Sequence, residues 1–240
     1  KVPDYDGNAA RSLTEAAFLQ LFREEAVALL GLPHHRNLAR FVTFDLSSRP
    51  KSILVMELVE GVSLEKLISS GGFDLDKAFA LLDGVLDGLS AMHAMHIGHL
   101  DVKPSNVIVR PSGDPVLVDF GLSGRQVRPG CGTGEYCAPE IWGEGGKATS
   151  PMAADVYAFG CLAYEVLTSF TLFDAPSEMA LLSLHLSHDG IPGPLLAMAD
   201  SELYADIAGW IGHALRSDPH DRPSARDLRA GLSELMAAHK

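Results

Sequence analysis

One ordered series of short elements constrains this chain more than anything else in it. His99-Leu100-Asp101-Val102-Lys103-Pro104-Ser105-Asn106 comes first, then Asp119-Phe120-Gly121, then Ala138-Pro139-Glu140. Asp155-Val156-Tyr157-Ala158-Phe159-Gly160 follows, and Arg222 closes the series. The first element lies between two rigid patterns. Before it, Leu75–His96 carries Leu81, Leu82, Val85, Leu89 and Met92 on one helical face. After it, Val107–Val109 and Val116–Val118 are short β-branched runs joined by the turn signal PSGDP. A polar loop clamped between a helix and a hairpin can hold side chains in fixed relation.

Ahead of that helix, after a polar and turn-rich opening, Ala16, Phe18, Leu21, Phe22, Ala26, Leu29 and Leu30 recur at helical spacing within Leu13–Leu30. Strand-like runs at Ala39–Phe44 and Ile53–Leu58 flank the turn-prone SSRPK, and Glu60-Gly61 breaks the second. Leu122–Tyr136 has no periodicity. Helical patterns return at Met152–Leu167, Ser177–Ser187, Glu202–Leu215 and Ser224–Ala238, the last with Ser224 as N-cap behind Pro223. The expected fold class is α+β, with few strands in front, a mainly helical body and no internal repeat.

Composition excludes several roles. A net charge of -12 argues against nucleic acid and anionic membrane surfaces, which call for a basic face. Cys131, Cys137 and Cys161 are too scattered for a disulfide framework or a metal site, and read as reduced thiols in a cytoplasmic compartment. No apolar run approaches the roughly 20 residues that span a bilayer, and no signal peptide opens the chain. The chain begins at Lys1 rather than at a methionine and reads as a piece of a longer protein, so any membrane anchor is expected outside it. Oligomeric state leaves no trace in the sequence.

Phosphoryl transfer uses a carboxylate to orient the attacking hydroxyl, a cation near the transferred phosphate, and oxygen ligands for a metal. Asp101, Lys103 and Asn106 supply these types within six residues, and Asp119 adds a second carboxylate after the hairpin. Mg²⁺ favours such oxygen ligands and keeps substrate phosphates in its shell.

Taken in order, these elements resemble the eukaryotic-type (Hanks-type) serine/threonine protein kinase family, in a bacterial form, over essentially the whole chain. The resemblance implies a bilobal fold, cut short at the front. Residues 1–57 would be a partial N-lobe, 58–62 the hinge, and 63–240 a helical C-lobe. It implies transfer of the ATP γ-phosphate to a serine or threonine of a protein or peptide, with Mg²⁺ or Mn²⁺ as cofactor. Asp101 matches the catalytic base, and Lys103 the lysine that neutralises the γ-phosphate. Asn106 and Asp119 match the metal ligands, and Thr133 the threonine touching Asp101 and Lys103. Glu140 and Arg222 match a buried ion pair, and Asp155 the aspartate that braces the catalytic loop. Upstream, Lys1 matches the lysine on the α- and β-phosphates, and Glu25, with Glu24 as competitor, its ion-pairing glutamate. Leu29 would join His99 and Phe120 in a stacked hydrophobic spine. Met56 would be the gatekeeper, and the Glu57 carbonyl with the Val59 amide and carbonyl the adenine partners.

The chain departs from the family in three places. The glycine-rich phosphate lid has no counterpart from Lys1 onward. Leu100 replaces the arginine that meets an activation-loop phosphate, and Leu122–Gly132 carries one hydroxyl, Ser123. These two changes agree, and activity independent of loop phosphorylation is expected. Gly143–Ser150 is a slightly long, flexible stretch with no assigned function. Two alternatives stand beside the enzyme: a pseudokinase scaffold, disfavoured by intact Asp101, Asn106 and Asp119, and a small-molecule phosphotransferase, disfavoured by Lys103, Ala138-Pro139-Glu140 and Gly132-Thr133-Gly134-Glu135-Tyr136.

Overall fold

The computed structural model describes residues 20, 26, 29–45, 53–120, 123–125, 127, 132–142 and 150–238. The expectations for Lys1, Glu24, Glu25 and residues 143–149 lie outside them. Of the expected first helix, Gln20, Ala26, Leu29 and Leu30 are described, and all are helical.

Strands β1 (Phe41–Asp45) and β2 (Ile53–Met56) pair antiparallel, with Phe41 opposite Met56 and Asp45 opposite Ile53. A second sheet joins β3 (Val62–Ser63), β4 (Val107–Val109) and β5 (Pro115–Leu117), all antiparallel in that order. The chain reaches β3 through Gly61 because no side chain fits there. A Cβ on Gly61 would lie 2.2 Å from the Val109 carbonyl oxygen.

Helices α1 (Leu64–Ser69), α2 (Leu75–His93), α3 (Pro151–Thr168), α4 (Glu178–Leu186), α5 (Gly193–Ala199), α6 (Ala205–Ala214) and α7 (Ala225–Ala238) form the body. Asp74 caps α2 by accepting from the Lys77 amide at 2.9 Å, and Leu81, Leu82, Val85, Leu86, Leu89 and Met92 are buried along it. Each such side chain contributes about 1.5–3 kcal/mol of apolar burial. The helix stops at His93, three residues short of the expected His96, whose φ of 56° cannot continue a right-handed helix. Ser224 caps α7 reciprocally with Asp227: its hydroxyl accepts from the Asp227 amide at 3.1 Å while the Asp227 carboxylate accepts from the Ser224 amide at 3.4 Å.

Helix α3 is apolar nearly all round and runs through the core, as such a helix must. Gly160 permits its approach to the residue after α6, since a Cβ there would sit 2.9 Å from Leu215 Cδ2. Residues 31–39 are stitched to the body. Asn37 accepts from the Leu117 amide at 2.8 Å and donates Nδ2 to the Pro115 carbonyl at 2.7 Å, and the Ala39 amide donates to the Leu117 carbonyl at 2.9 Å. The strands in front and the helical body make an α+β fold.

Candidate active site

The loop leaving α2 is held open from beneath by one buried carboxylate. Asp155, on α3, accepts the Leu100 amide on Oδ1 at 2.7 Å, and the His99 amide and His93 Nε2 on Oδ2 at 2.7 and 2.9 Å. Its side chain is wholly excluded from solvent. Three donors compensate the desolvation of that carboxylate, which would otherwise be costly. They also hold Leu100 at φ 62°, a conformation that an unsupported leucine avoids.

His99 is fully buried, and burial pushes its pKa below the ordinary value. One neutral tautomer satisfies its partners: Nε2–H donates to the Val118 carbonyl at 3.0 Å, and Nδ1 accepts from the Asp101 amide at 3.4 Å. Its ring lies 5.4 Å from that of Phe120, and Leu29 and Phe120 are buried in one apolar core.

Above this support the polar side chains converge. Asn106 Nδ2 donates to the Asp101 backbone carbonyl at 2.9 Å and to Oδ2 at 2.8 Å. The Thr133 hydroxyl donates to Asp101 Oδ1 at 2.9 Å while accepting from Lys103 Nζ at 2.6 Å. Lys103 Nζ also stands 3.0 Å from Asp101 Oδ2. Asp101 is thus oriented by a lysine, an amide and a hydroxyl that reach it from its own loop and from well downstream in the chain. Asp119 follows Val118, whose amide donates to the Asn106 carbonyl at 2.9 Å, so the hairpin returns it beside Asn106. Asp119 is exposed, with φ 59°.

These residues fit a phosphate-bound magnesium ion. Asn106 spends its NH₂ on Asp101, which leaves the amide oxygen as its ligand atom, and Asp119 offers a carboxylate. No group of three or more His, Cys, Asp or Glu side chains able to hold a metal occurs among the described residues. Such a set is not needed by an ion that borrows phosphate and water oxygens.

Met56 ends β2 half-buried against the core, and Glu57 and Val59 follow it. The Glu57 amide donates to the Arg40 carbonyl at 2.8 Å. Lys1 and Glu25 lie outside the described residues. Ser123, the one hydroxyl expected in its loop, is fully buried and donates to the His99 carbonyl at 3.1 Å.

Downstream, Arg222 meets Glu140 with both ends of its guanidinium, Nη1 to Oε1 at 2.6 Å and Nη2 to Oε2 at 2.8 Å. Its side chain is completely covered, and it also donates to the carbonyls of Ala153, Arg216 and Ser217. Two further contacts are invisible in the sequence. The Tyr136 hydroxyl donates to Glu165 Oε2 at 2.5 Å, and the Glu57 carboxylate pairs with Arg110 Nη2 at 2.8 Å. Burial, then the Glu165 contact, pushes the Tyr136 phenol well up, and burial raises Glu165 above the usual carboxylate range. Nothing in residue spacing announces either pair, because each joins elements far apart in the chain.

Fold and loop together have the make-up of a kinase-like domain. A sequence profile of the protein kinase domain matches residues 9–231, and the chain belongs to that family. It is 34% identical over 235 residues to the serine/threonine-protein kinase PkaA of Streptomyces coelicolor, covering 91% of this chain and 40% of that protein. It is 34% identical over 240 residues to the serine/threonine-protein kinase pkn2 of Myxococcus xanthus, covering 94% and 28%. Against the serine/threonine-protein kinase PknB of Mycobacterium tuberculosis the identity is 30% over 232 residues, covering 91% and 36%. The chain therefore spans less than half the length of these curated relatives. Among the described residues no helix is long and apolar enough to cross a membrane.

Proposed function

We propose that this chain is the catalytic part of a protein serine/threonine kinase that moves the ATP γ-phosphate to a serine or threonine hydroxyl of a protein substrate. One observation carries the reading: Asp101, Lys103, Asn106 and Thr133 form a single hydrogen-bonded cluster on a loop braced by Asp155. Asp101, held by Thr133 and Asn106, orients the acceptor hydroxyl and takes its proton. Lys103 meets the charge that grows on the transferred group, and Thr133 keeps Asp101 and Lys103 in register. Asn106 and Asp119 would hold Mg²⁺, with Mn²⁺ as a substitute. The ion would supply charge neutralisation on the phosphates. The Glu57 carbonyl and the Val59 backbone, beside Met56, would receive adenine. Residues 1–57 would act as the nucleotide-covering lobe, with Lys1 on the phosphates and Glu25 as its ion-pair partner, 58–62 as hinge and 63–240 as the substrate lobe. Cys161 is a buried free thiol, in keeping with a cytoplasmic location.

The test combines two readouts on the same protein. ATP with Mg²⁺ should raise its melting temperature, and labelled phosphate should pass to serine or threonine of a generic basic protein, with both effects weakened by D119N and transfer abolished by D101N. Stabilisation without transfer would assign a scaffold instead, and transfer to a small alcohol but not to protein would assign a small-molecule phosphotransferase.

A further inference from the structure

Tyr157 of α3 and His185 of α4 sit in a buried hydrogen-bond chain that ends on the loop carrying Thr133. The Tyr157 hydroxyl lies 2.8 Å from His185 Nδ1 and 3.4 Å from His188 Nε2, and His185 Nε2 lies 3.0 Å from the Gly134 carbonyl. A carbonyl only accepts, so His185 carries its proton on Nε2 and its Nδ1 must accept. Tyr157 therefore donates to His185. Its oxygen then accepts from His188 Nε2–H, and His188 Nδ1 accepts from the Gly190 amide at 3.2 Å. Every polar atom has a partner, and the chain runs in one direction, from Gly190 to Gly134.

The surroundings hold this arrangement and keep both imidazoles neutral. His185 is fully buried, with the Phe173 ring 4.2 Å from its own and Trp142 at 6.3 Å. Phe173 stacks on His188 at 5.4 Å. Burial, with a small contribution from His188, lowers His185 to about 4 against the opposing Gly134 bond. Tyr157 presents its other side to Arg222, whose guanidinium stands 4.9 Å from the ring centroid and pairs with Glu140. Gly134 adjoins Thr133, and Thr133 holds both Asp101 and Lys103.

We propose that His185 is a positioning residue for the peptide-binding side of the active site, holding the Gly134 carbonyl so that Thr133 keeps Asp101 aimed at the acceptor hydroxyl. This rests on the kinase reading above. It adds a residue from a helix that carries none of the catalytic groups, and it makes α4 part of the support of the substrate loop.

The experiment compares H185L, H185Q and Y157F with the unaltered chain. Phosphotransfer is measured with peptide and ATP varied separately, and amide hydrogen exchange is followed over residues 132–137. A donor lost from a loop carbonyl is worth about a tenfold change. H185L is therefore expected to raise the KM for peptide about tenfold, leave that for ATP unchanged, and speed exchange over 132–137 by a similar factor. Glutamine can still donate to Gly134, so H185Q should recover most of both. Y157F should fall between. Unchanged peptide KM and exchange in H185L would overturn the proposal, as would equal rises for ATP and peptide, or H185Q behaving like H185L. Should H185L not fold, the order of H185Q and Y157F decides: faster exchange over 132–137 in Y157F than in H185Q supports the proposal, and the reverse or equality overturns it. If the unaltered chain phosphorylates no peptide, the kinase reading fails by itself, and loop exchange alone then decides whether His185 holds the loop.

Discussion

The Glu57 carboxylate spans two parts of the molecule, accepting the Arg40 amide on Oε2 at 3.0 Å and Arg110 Nη2 on Oε1 at 2.8 Å. Arg110 directly follows β4, the strand that leaves the loop bearing Asp101 and Asn106. The pair is about one-third exposed on the Arg110 side and slightly less on the other, so its worth is limited to about 0–1 kcal/mol. The hydrogen bond from Arg110, then that from Arg40, holds the Glu57 pKa below its ordinary value. A depressed carboxylate stabilises the fold above its unfolded-state pKa and loses that contribution as pH falls through the folded value. R110M should therefore cost no more than about 1 kcal/mol in urea titrations near neutral pH. Its difference from the unaltered chain should begin to shrink as the pH drops below the ordinary glutamate pKa and vanish only below the depressed folded value.

Asp155 gives a larger effect. Replacing it by asparagine turns one acceptor oxygen into a donor facing N–H groups, in a site closed to water. Hydrogen bonds to buried charged groups are worth about 1.5–3 kcal/mol. D155N should lower stability by about 3 kcal/mol by chemical denaturation. It should also abolish phosphotransfer, because Leu100 loses the support for its left-handed backbone just before Asp101. Retained activity in D155N would show that the loop keeps its geometry without this brace.

Ser123 bears on regulation. Its hydroxyl is buried and engaged with the His99 carbonyl, so a kinase cannot reach it without opening the loop. With Leu100 where the phosphate-reading arginine would stand, phosphatase treatment should leave the rate of transfer unchanged. S123A should cost about 1 kcal/mol and keep its activity. Mass spectrometry finding phosphate on Ser123, together with a rate that falls on its removal, would contradict this.

Arg222 is a buried ion of the opposite sign, with its charge met by Glu140 and its remaining N–H groups by backbone carbonyls. Lysine cannot reproduce the planar two-pronged contact. R222K should lower stability by about 3 kcal/mol, and R222M by as much or more, since it leaves Glu140 unpaired. Calorimetry on the two variants measures this directly.

Legibility in the sequence depends on distance along the chain. Asp101, Lys103 and Asn106 share one short loop, so the order of residues alone brings them together. Thr133 is legible because glycines and a tyrosine at fixed offsets mark its turn. His185 is not: in the run Leu181–Leu186 it looks like one polar residue in an apolar helix, and its meaning comes from Tyr157 and Gly134, 28 and 51 residues away. Sequence points to the Glu57 backbone alone, and the role of its carboxylate depends on Arg110, 53 residues on. Strand β3 and helices α1 and α5 leave no signature because two to seven residues are too few to display a period. The early end of α2 depends on the backbone of a single histidine.

The stitching of residues 37 and 39 to Leu117 has a mechanical consequence. The segment that follows Leu29 and Leu30 is hydrogen-bonded through Asn37 and Ala39 to the hairpin of the catalytic loop, and through Arg40 to Glu57, the residue after β2. A displacement of those helical residues relative to that hairpin would have to be taken up between Leu30 and Asn37. The short loop would then serve as a fulcrum, seated on the hairpin by the hydrogen bonds of Asn37 and Ala39.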